Sequence, residues 1–152
     1  MTSRILPVAG AELVVASIGD NSFALDIMAV REIRGWSPVT PLPHAPPNVL
    51  GMVNLRGLIL PVIDLGATLG LGATQVQASS VVIVVDLLSQ QVGLVVDAVR
   101  DIITAAEGSL RAPPEIGGGV RDFVLGVIST EDAIVSLLNL SNILPESFAA
   151  AA

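Results

Sequence analysis

Phe23-Ala-Leu-Asp-Ile-Met-Ala-Val-Arg-Glu-Ile33 lies without gaps on Val92-Gly-Leu-Val-Val-Asp-Ala-Val-Arg-Asp-Ile102, and five of the eleven positions are identical. Glu32 against Asp101 keeps the charge. A second pair of segments follows in the same order. Val49-Leu-Gly-Met-Val-Asn-Leu-Arg-Gly-Leu-Ile-Leu-Pro-Val-Ile-Asp-Leu-Gly-Ala-Thr-Leu69 aligns on Val124-Leu-Gly-Val-Ile-Ser-Thr-Glu-Asp-Ala-Ile-Val-Ser-Leu-Leu-Asn-Leu-Ser-Asn-Ile-Leu144, with six of twenty-one identical. The offset grows from 69 to 75, which places an insertion around Gly117–Gly119. Repeats of this kind fix architecture before local propensity does. They imply two similar β subdomains of roughly 70 residues each.

Composition agrees with β structure. Hydrophobic residues make up 52% of the 152, charged residues 14%, and mean hydropathy is +0.77. Such a chain is too apolar for disorder. Val and Ile dominate, and their branched side chains suit pleated surfaces. Short apolar runs separated by turn residues predict strands at Glu12–Ile18, Ser22–Ile27, Val30–Ile33, Leu50–Asn54, Leu58–Ile63, Ser80–Asp86, Val92–Val96, Arg100–Thr104, Phe123–Ser129 and Ala133–Leu138. Helical turns are expected at Leu65–Leu69 and Leu140–Leu144. The proline-rich stretch Pro38–Pro47 reads as an extended connection, because proline removes ladder donors. The expected organisation is a tail (1–10), a first barrel (11–78), a second barrel (79–147) and a tail (148–152), with terminal strands able to exchange between barrels.

Charge and residue usage exclude whole classes of function. Fourteen acids against seven Arg give −7, which phosphate would repel, so no nucleic-acid partner is expected. Without Lys there is no Walker-type loop and no Schiff base. Without Cys there are no disulfides, thiolate nucleophiles or cysteine metal sites. The single histidine, His44, lies among prolines and reads as an exposed loop residue. No cofactor is expected. The longest uncharged run, Leu65–Val85, is broken by glycine, glutamine and serine, so no membrane insertion is expected. Glu12 interrupts the apolar start, which argues against a signal peptide, and a cytoplasmic protein is the expectation.

The repeat is most informative where it breaks. The first copy has Asn54-Leu55-Arg56-Gly57 at its hairpin turn; the second has Ser129-Thr130-Glu131-Asp132. Glu32 is a candidate partner for Arg56, whereas Asp101 and Glu131 set acid against acid. Whatever Arg56 does, only the first half does it. An exposed pair adds little to stability, but it can fix a guanidinium, a rigid fork of donors, for a partner. Val30 alternates with Glu32, so both are expected on one face. Gly51 and Gly57 read as turn or bulge positions, with close approach of a partner's backbone as the alternative. Trp36 is a barrel cap or an exposed anchor. Asp64, Asp86 and Asp97 end strand-like runs; turn formation is the ordinary role there. A small hydrolase using Asp64 and Asp97 is the competing reading. A self-associating β protein is another, since an apolar chain can leave apolar surface exposed.

The segments around Phe23–Ile33, Thr40-Pro-Leu-Pro43 and Gly51–Leu65 together resemble CheW, the chemotaxis coupling family, and the likeness runs from about Leu13 to Leu144. Gly93-Leu-Val-Val-Asp-Ala-Val99 and Gly126-Val-Ile128 are similar to the family too. The resemblance implies an all-β fold of two five-stranded, Src-homology-like barrels with short helices. It implies a non-enzymatic adaptor that bridges the cytoplasmic tips of chemoreceptors to the regulatory domain of a CheA-type histidine kinase. By matching positions, Val30, Glu32, Gly51 and Arg56 fall where the family engages partners, with Asn54 and Gly57 in the same turn motif. Val53 departs from the family, which often has a polar residue there. A pilus or other chemosensory system is an alternative setting, as is a detached relative of the kinase's own regulatory domain.

Overall fold

The computed structural model describes residues 11–72, 74–87, 90–104, 110–111, 123–130 and 134–143. Eleven strands are formed: β1 (Glu12–Ile18), β2 (Asn21–Asp26), β3 (Val30–Gly35), β4 (Val49–Leu55), β5 (Leu58–Asp64), β6 (Val81–Leu87), β7 (Gln90–Val96), β8 (Ala98–Thr104), β9 (Leu110–Arg111), β10 (Val124–Ser129) and β11 (Ile134–Leu138). A short helix α1 (Leu65–Thr68) follows β5, and single 3-10 turns occupy Ile27–Ala29 and Leu140–Asn142. All ten expected strands are present within two residues at either end. The two-residue β9 is too short to leave a pattern, and the turn at Ile27–Ala29 is hidden within an apolar run that continues into Val30.

The strands form two sheets, ordered β8-β1-β2-β11-β10-β9 and β3-β6-β7-β5-β4. Sequence neighbours supply most antiparallel pairs, β1–β8 and β3–β6 are antiparallel pairs of distant strands, and each sheet has one parallel contact: β11 on β2 in the first, β5 on β7 in the second. Advancing each strand of the second order to its repeat equivalent gives β8-β1-β2-β11-β10, the first order without β9. The repeat seen in sequence is thus a pseudo-twofold symmetry of the fold. The segment Phe23–Ile33 leaves the first sheet as β2 and enters the second as β3; Val92–Ile102 crosses the other way as β7 and β8. Each sheet therefore takes strands from both sides of residue 78. The boundary between 78 and 79 divides the repeats and not the sheets, because the crossover lies inside the repeating unit. Gly117–Gly119, Glu131 and both expected tails lie outside the described residues.

Strand periodicity explains the unusual hydrophobicity. Along β6, Ile83 and Val85 join a central cluster with Ile18, Phe23, Leu25, Ile63, Leu94 and Val96. Val82 and Val84, pointing the other way, join Leu55, Leu60, Val62 and Val95 inside the second sheet. The first sheet has its own interior of Leu13, Val15, Ala24, Ile128, Val135 and Leu137. A strand buried on both faces reads as a continuous apolar run, here Val81-Val-Ile-Val-Val85. Three apolar clusters in one small chain account for its composition.

Candidate functional site

The site begins in a two-residue hairpin. Leu55 pairs with Leu58, leaving Arg56 and Gly57 as the loop. Their φ angles are +53° and +89°, so both central residues are left-handed, as a type I′ turn demands. Glycine meets that requirement at 57 without steric cost. Asn54 supports it, its Oδ1 accepting from Gly57 N–H at 2.8 Å. Arg56 is the unexpected residue, since a left-handed side-chain-bearing residue costs about 1–2 kcal/mol. The turn tolerates this cost at the position where its one charge stands.

Two contacts fix where that charge points. The Arg56 Nη2 donates to Glu32 Oε1 at 2.6 Å, joining the β4–β5 turn to β3, the opposite edge strand of the sheet. Arg34 approaches the other oxygen of Glu32, with Nη1 3.7 Å from Oε2. The hydrogen bond from Arg56 holds the Glu32 carboxyl below its ordinary pKa; partial desolvation opposes this, and the charges of Arg56 and Arg34 lower it further. Glu32 is the inner member of the pair, while the Arg56 side chain is 74% exposed. A guanidinium held at one end by a carboxylate keeps its fork of donors in a fixed direction, turned to solvent. Beside the turn, Leu58 and Ile59 stand exposed. They line a groove of about 540 Å³ with Arg31, Asp86, Gln90 and Gln91. Arg31 pairs with Asp86 across the groove, and Gln90 Oε1, itself buried, accepts no hydrogen bond among the described residues.

Comparison with known proteins gives this constellation a context. Residues 12–148 match the model of the CheW-like domain. The chain belongs to the CheW-like family. It is 44% identical over 137 residues to the chemotaxis protein CheW of Rhizobium meliloti, covering 90% of this chain and 88% of that one. It is 42% identical to a probable chemotaxis protein CheW of Rhizobium etli, covering 93% and 92%. Among solved structures it resembles the scaffolding protein TtCheW of Thermoanaerobacter tengcongensis, with TM-score 0.82, 34% identity and coverage of 88% and 92%.

Within this CheW-like fold, the remaining expected positions separate. Val30 and Glu32 do not share a face. A bulge at Arg31 puts Val30 opposite Val85 and Glu32 opposite Val84. Val85 belongs to the central cluster and Val84 to the interior of the sheet, so Val30 packs on the central cluster, half-buried. Gly51 is buried as well. A Cβ there would lie 2.4 Å from the Thr40 carbonyl oxygen, and Thr40 and Met52 exchange backbone hydrogen bonds of 2.9 and 2.8 Å. Gly51 admits the proline-rich connection onto the edge of β4. Trp36 caps the interior of the second sheet, packed partly buried against that cluster.

The aspartates proposed for hydrolysis have local partners. Asp64 is 2% exposed, and its carboxylate accepts from Ala67 N, Thr74 N and Thr74 Oγ1. Asp97 accepts from Gly19 N at 2.7 Å, in the β1–β2 turn. His44 is exposed, with φ +59°. Among the described residues no cluster of His, Cys, Asp or Glu could hold a metal ion, and no helix is long and apolar enough to cross a membrane. Sequence reading passed over Arg34, Leu58, Ile59 and Gln90. Arg34 could have been found, since residue i+2 on a strand shares the face of Glu32. Leu58 and Ile59 could not, because their run of apolar residues does not reveal that the strand's first two side chains emerge from the sheet.

Proposed function

We propose that this chain is a non-enzymatic adaptor of the cytoplasm, coupling the cytoplasmic tips of chemoreceptors to the regulatory domain of a CheA-type histidine kinase within a chemosensory array. Family membership supports the adaptor role. The observation that carries the site assignment is Arg56, held outward by a left-handed turn and by Glu32, with Leu58 and Ile59 beside it. Arginine is among the residues enriched at interface hot spots, and exposed aliphatics beside it add apolar area to bury. Nothing in the arrangement needs a reacting atom.

The test is calorimetric titration of the full chain into the regulatory domain of a CheA-type kinase from the same organism, with wild type and Arg56→Ala. Saturable binding that weakens about tenfold or more in the variant is expected, the loss typical of a hot-spot arginine. Equal dissociation constants would remove Arg56 from the interface, and absence of binding by the folded wild type would remove the kinase.

A second reading, self-association, has a specific observation in its favour. The exposed aliphatics recur at repeat-equivalent positions: Ile33 with Ile102, and Ile59 with Ile134. The charges beside them differ, since Arg56 in one half has Glu131 as its equivalent in the other. Two ends with matched apolar anchors and opposite charge suit head-to-tail contact between copies. Sedimentation equilibrium of wild type and Ile134→Asp separates the readings. A concentration-dependent mass lost in the variant supports self-association, and a monomer at all concentrations excludes it.

A further inference from the structure

The buried Asp64 carboxylate does more than cap a four-residue helix. Its oxygens take three hydrogen bonds, and two come from Thr74, in the segment between α1 and β6: Thr74 N at 2.7 Å and Thr74 Oγ1 at 2.6 Å. The pseudo-symmetric position is Asn139, whose side chain makes no capping bond although a 3-10 turn, Leu140–Asn142, follows it. An acid is therefore not needed for the turn. The difference between the halves is the strand connection that Thr74 belongs to.

That connection walls a cleft of about 470 Å³, which Thr74 and Gln77 share with Gly19 and Asp97. The other side of Asp64 leads elsewhere. Its N–H donates to Asn48 O at 2.8 Å, its carbonyl accepts from Thr68 Oγ1 at 3.0 Å, and Thr68 Oγ1 accepts from Asn48 Nδ2 at 2.8 Å. Asn48 and Thr68 line a second cleft, of about 380 Å³, with Phe123 and Ile143. Asn48 and Phe123 are repeat equivalents, as are Thr68 and Ile143, so this cleft lies on the pseudo-twofold axis. One residue thus bonds through its carboxylate to the wall of one cleft and through its backbone to the lining of the other.

We propose that Asp64 is a latch that couples the two clefts, so that releasing Thr74 also loosens Asn48 and Thr68 at the axial cleft. Gly66 gives a direct means of opening it. A Cβ at Gly66 would stand 2.8 Å from Thr74 Oγ1, 3.3 Å from Ile18 Cγ2 and 3.4 Å from Asp64 Oδ1, while its backbone is helical and otherwise favours alanine. Gly66→Ala therefore presses on the latch without straining the helix.

The test is amide hydrogen exchange by NMR on the full chain, comparing wild type, Gly66→Ala, Thr74→Val and the control Ser79→Ala. The latch variants are expected to exchange about tenfold faster at Thr74 and Ala67, the loss of one charge-assisted hydrogen bond. They are also expected to exchange several-fold faster at Asp64, whose amide reports on Asn48, with β6 and β7 unchanged. Ser79→Ala should move none of these. Faster exchange at Thr74 with an unaltered Asp64 amide would overturn the coupling, and unaltered Thr74 exchange in both variants would overturn the latch. Should Gly66→Ala fail to fold, Thr74→Val decides, since it deletes one bond and adds no atom at the helix.

Discussion

Gly51→Ala separates a structural glycine from a contact glycine. The new Cβ would lie 2.4 Å from Thr40 O, 2.8 Å from Thr40 C and 3.0 Å from Val39 Cγ2. Two of these are backbone atoms, which cannot swing aside as a flexible side chain would. Relief requires the 39–40 segment to withdraw from β4, breaking Thr40 N–H to Met52 O and Met52 N–H to Thr40 O. Each net hydrogen bond is worth about 0.5–1.5 kcal/mol, and overpacking adds to the loss, so about 2–4 kcal/mol is expected. For a chain of this size that lowers the thermal midpoint by about 4–16 °C. The assay is thermal unfolding followed by circular dichroism, with kinase-domain binding measured well below the midpoint. Gly57→Ala is the comparison, because its Cβ meets nothing within 4 Å and only the +89° φ opposes it. A large loss of midpoint with near-normal binding by the folded variant fits the reasoning. An unchanged midpoint with abolished binding would refute it and make Gly51 a contact residue.

Two further predictions concern the turn. Arg56→Asn should be more stable than Arg56→Ala by up to about 1 kcal/mol, because both lose the Glu32 bond but asparagine accepts the left-handed region, while both weaken partner binding; equal midpoints of the two variants would show that the +53° φ carries no strain. Glu32 has its folded pKa depressed, so its pairing is complete above the ordinary carboxylate range and is lost only as pH falls through the depressed value. An NMR titration of the Glu32 carboxyl carbon should give a lower midpoint in wild type than in Arg56→Ala, and equal midpoints would contradict the hydrogen bond as its cause.

The strands were legible because burial on one or two faces leaves a record at every position. β1 and β6 are written as apolar runs, and Asn54-Leu-Arg-Gly57 as a turn. The pairing of Glu32 with Arg56 was legible from the repeat, since the equivalent positions in the second half are both acidic. Sheet membership was not. A crossover inside the repeating unit leaves the order of strands unchanged along the chain, and only the pairings between distant strands, β1–β8, β3–β6, β2–β11 and β5–β7, reveal it. The bulge at Arg31 was also invisible, because one unpaired residue changes register without changing composition, and it moved Val30 to the other face.

The same bulge recurs at Arg100, repeat-equivalent to Arg31, where β8 pairs with β1. Arg31 reaches Asp86 and Arg100 reaches Ser17 Oγ, and Asp86 and Ser17 are themselves equivalents. The backbone thus holds its symmetry down to an irregular residue, while the side chains exchange an ion pair for a guanidinium hydrogen bond to a neutral hydroxyl. The turn motif diverges in the same way, Arg56 facing Glu32 in one half and an acid replacing arginine in the other. Bulges and crossovers are constrained by the core that both halves share, so they cannot diverge without loss of packing. Exposed charges carry no such constraint and little stability. Arg56 is an asymmetric charge on a symmetric scaffold, held in a conformation its own backbone disfavours, and the proposed partner contact gives it a role that stability does not.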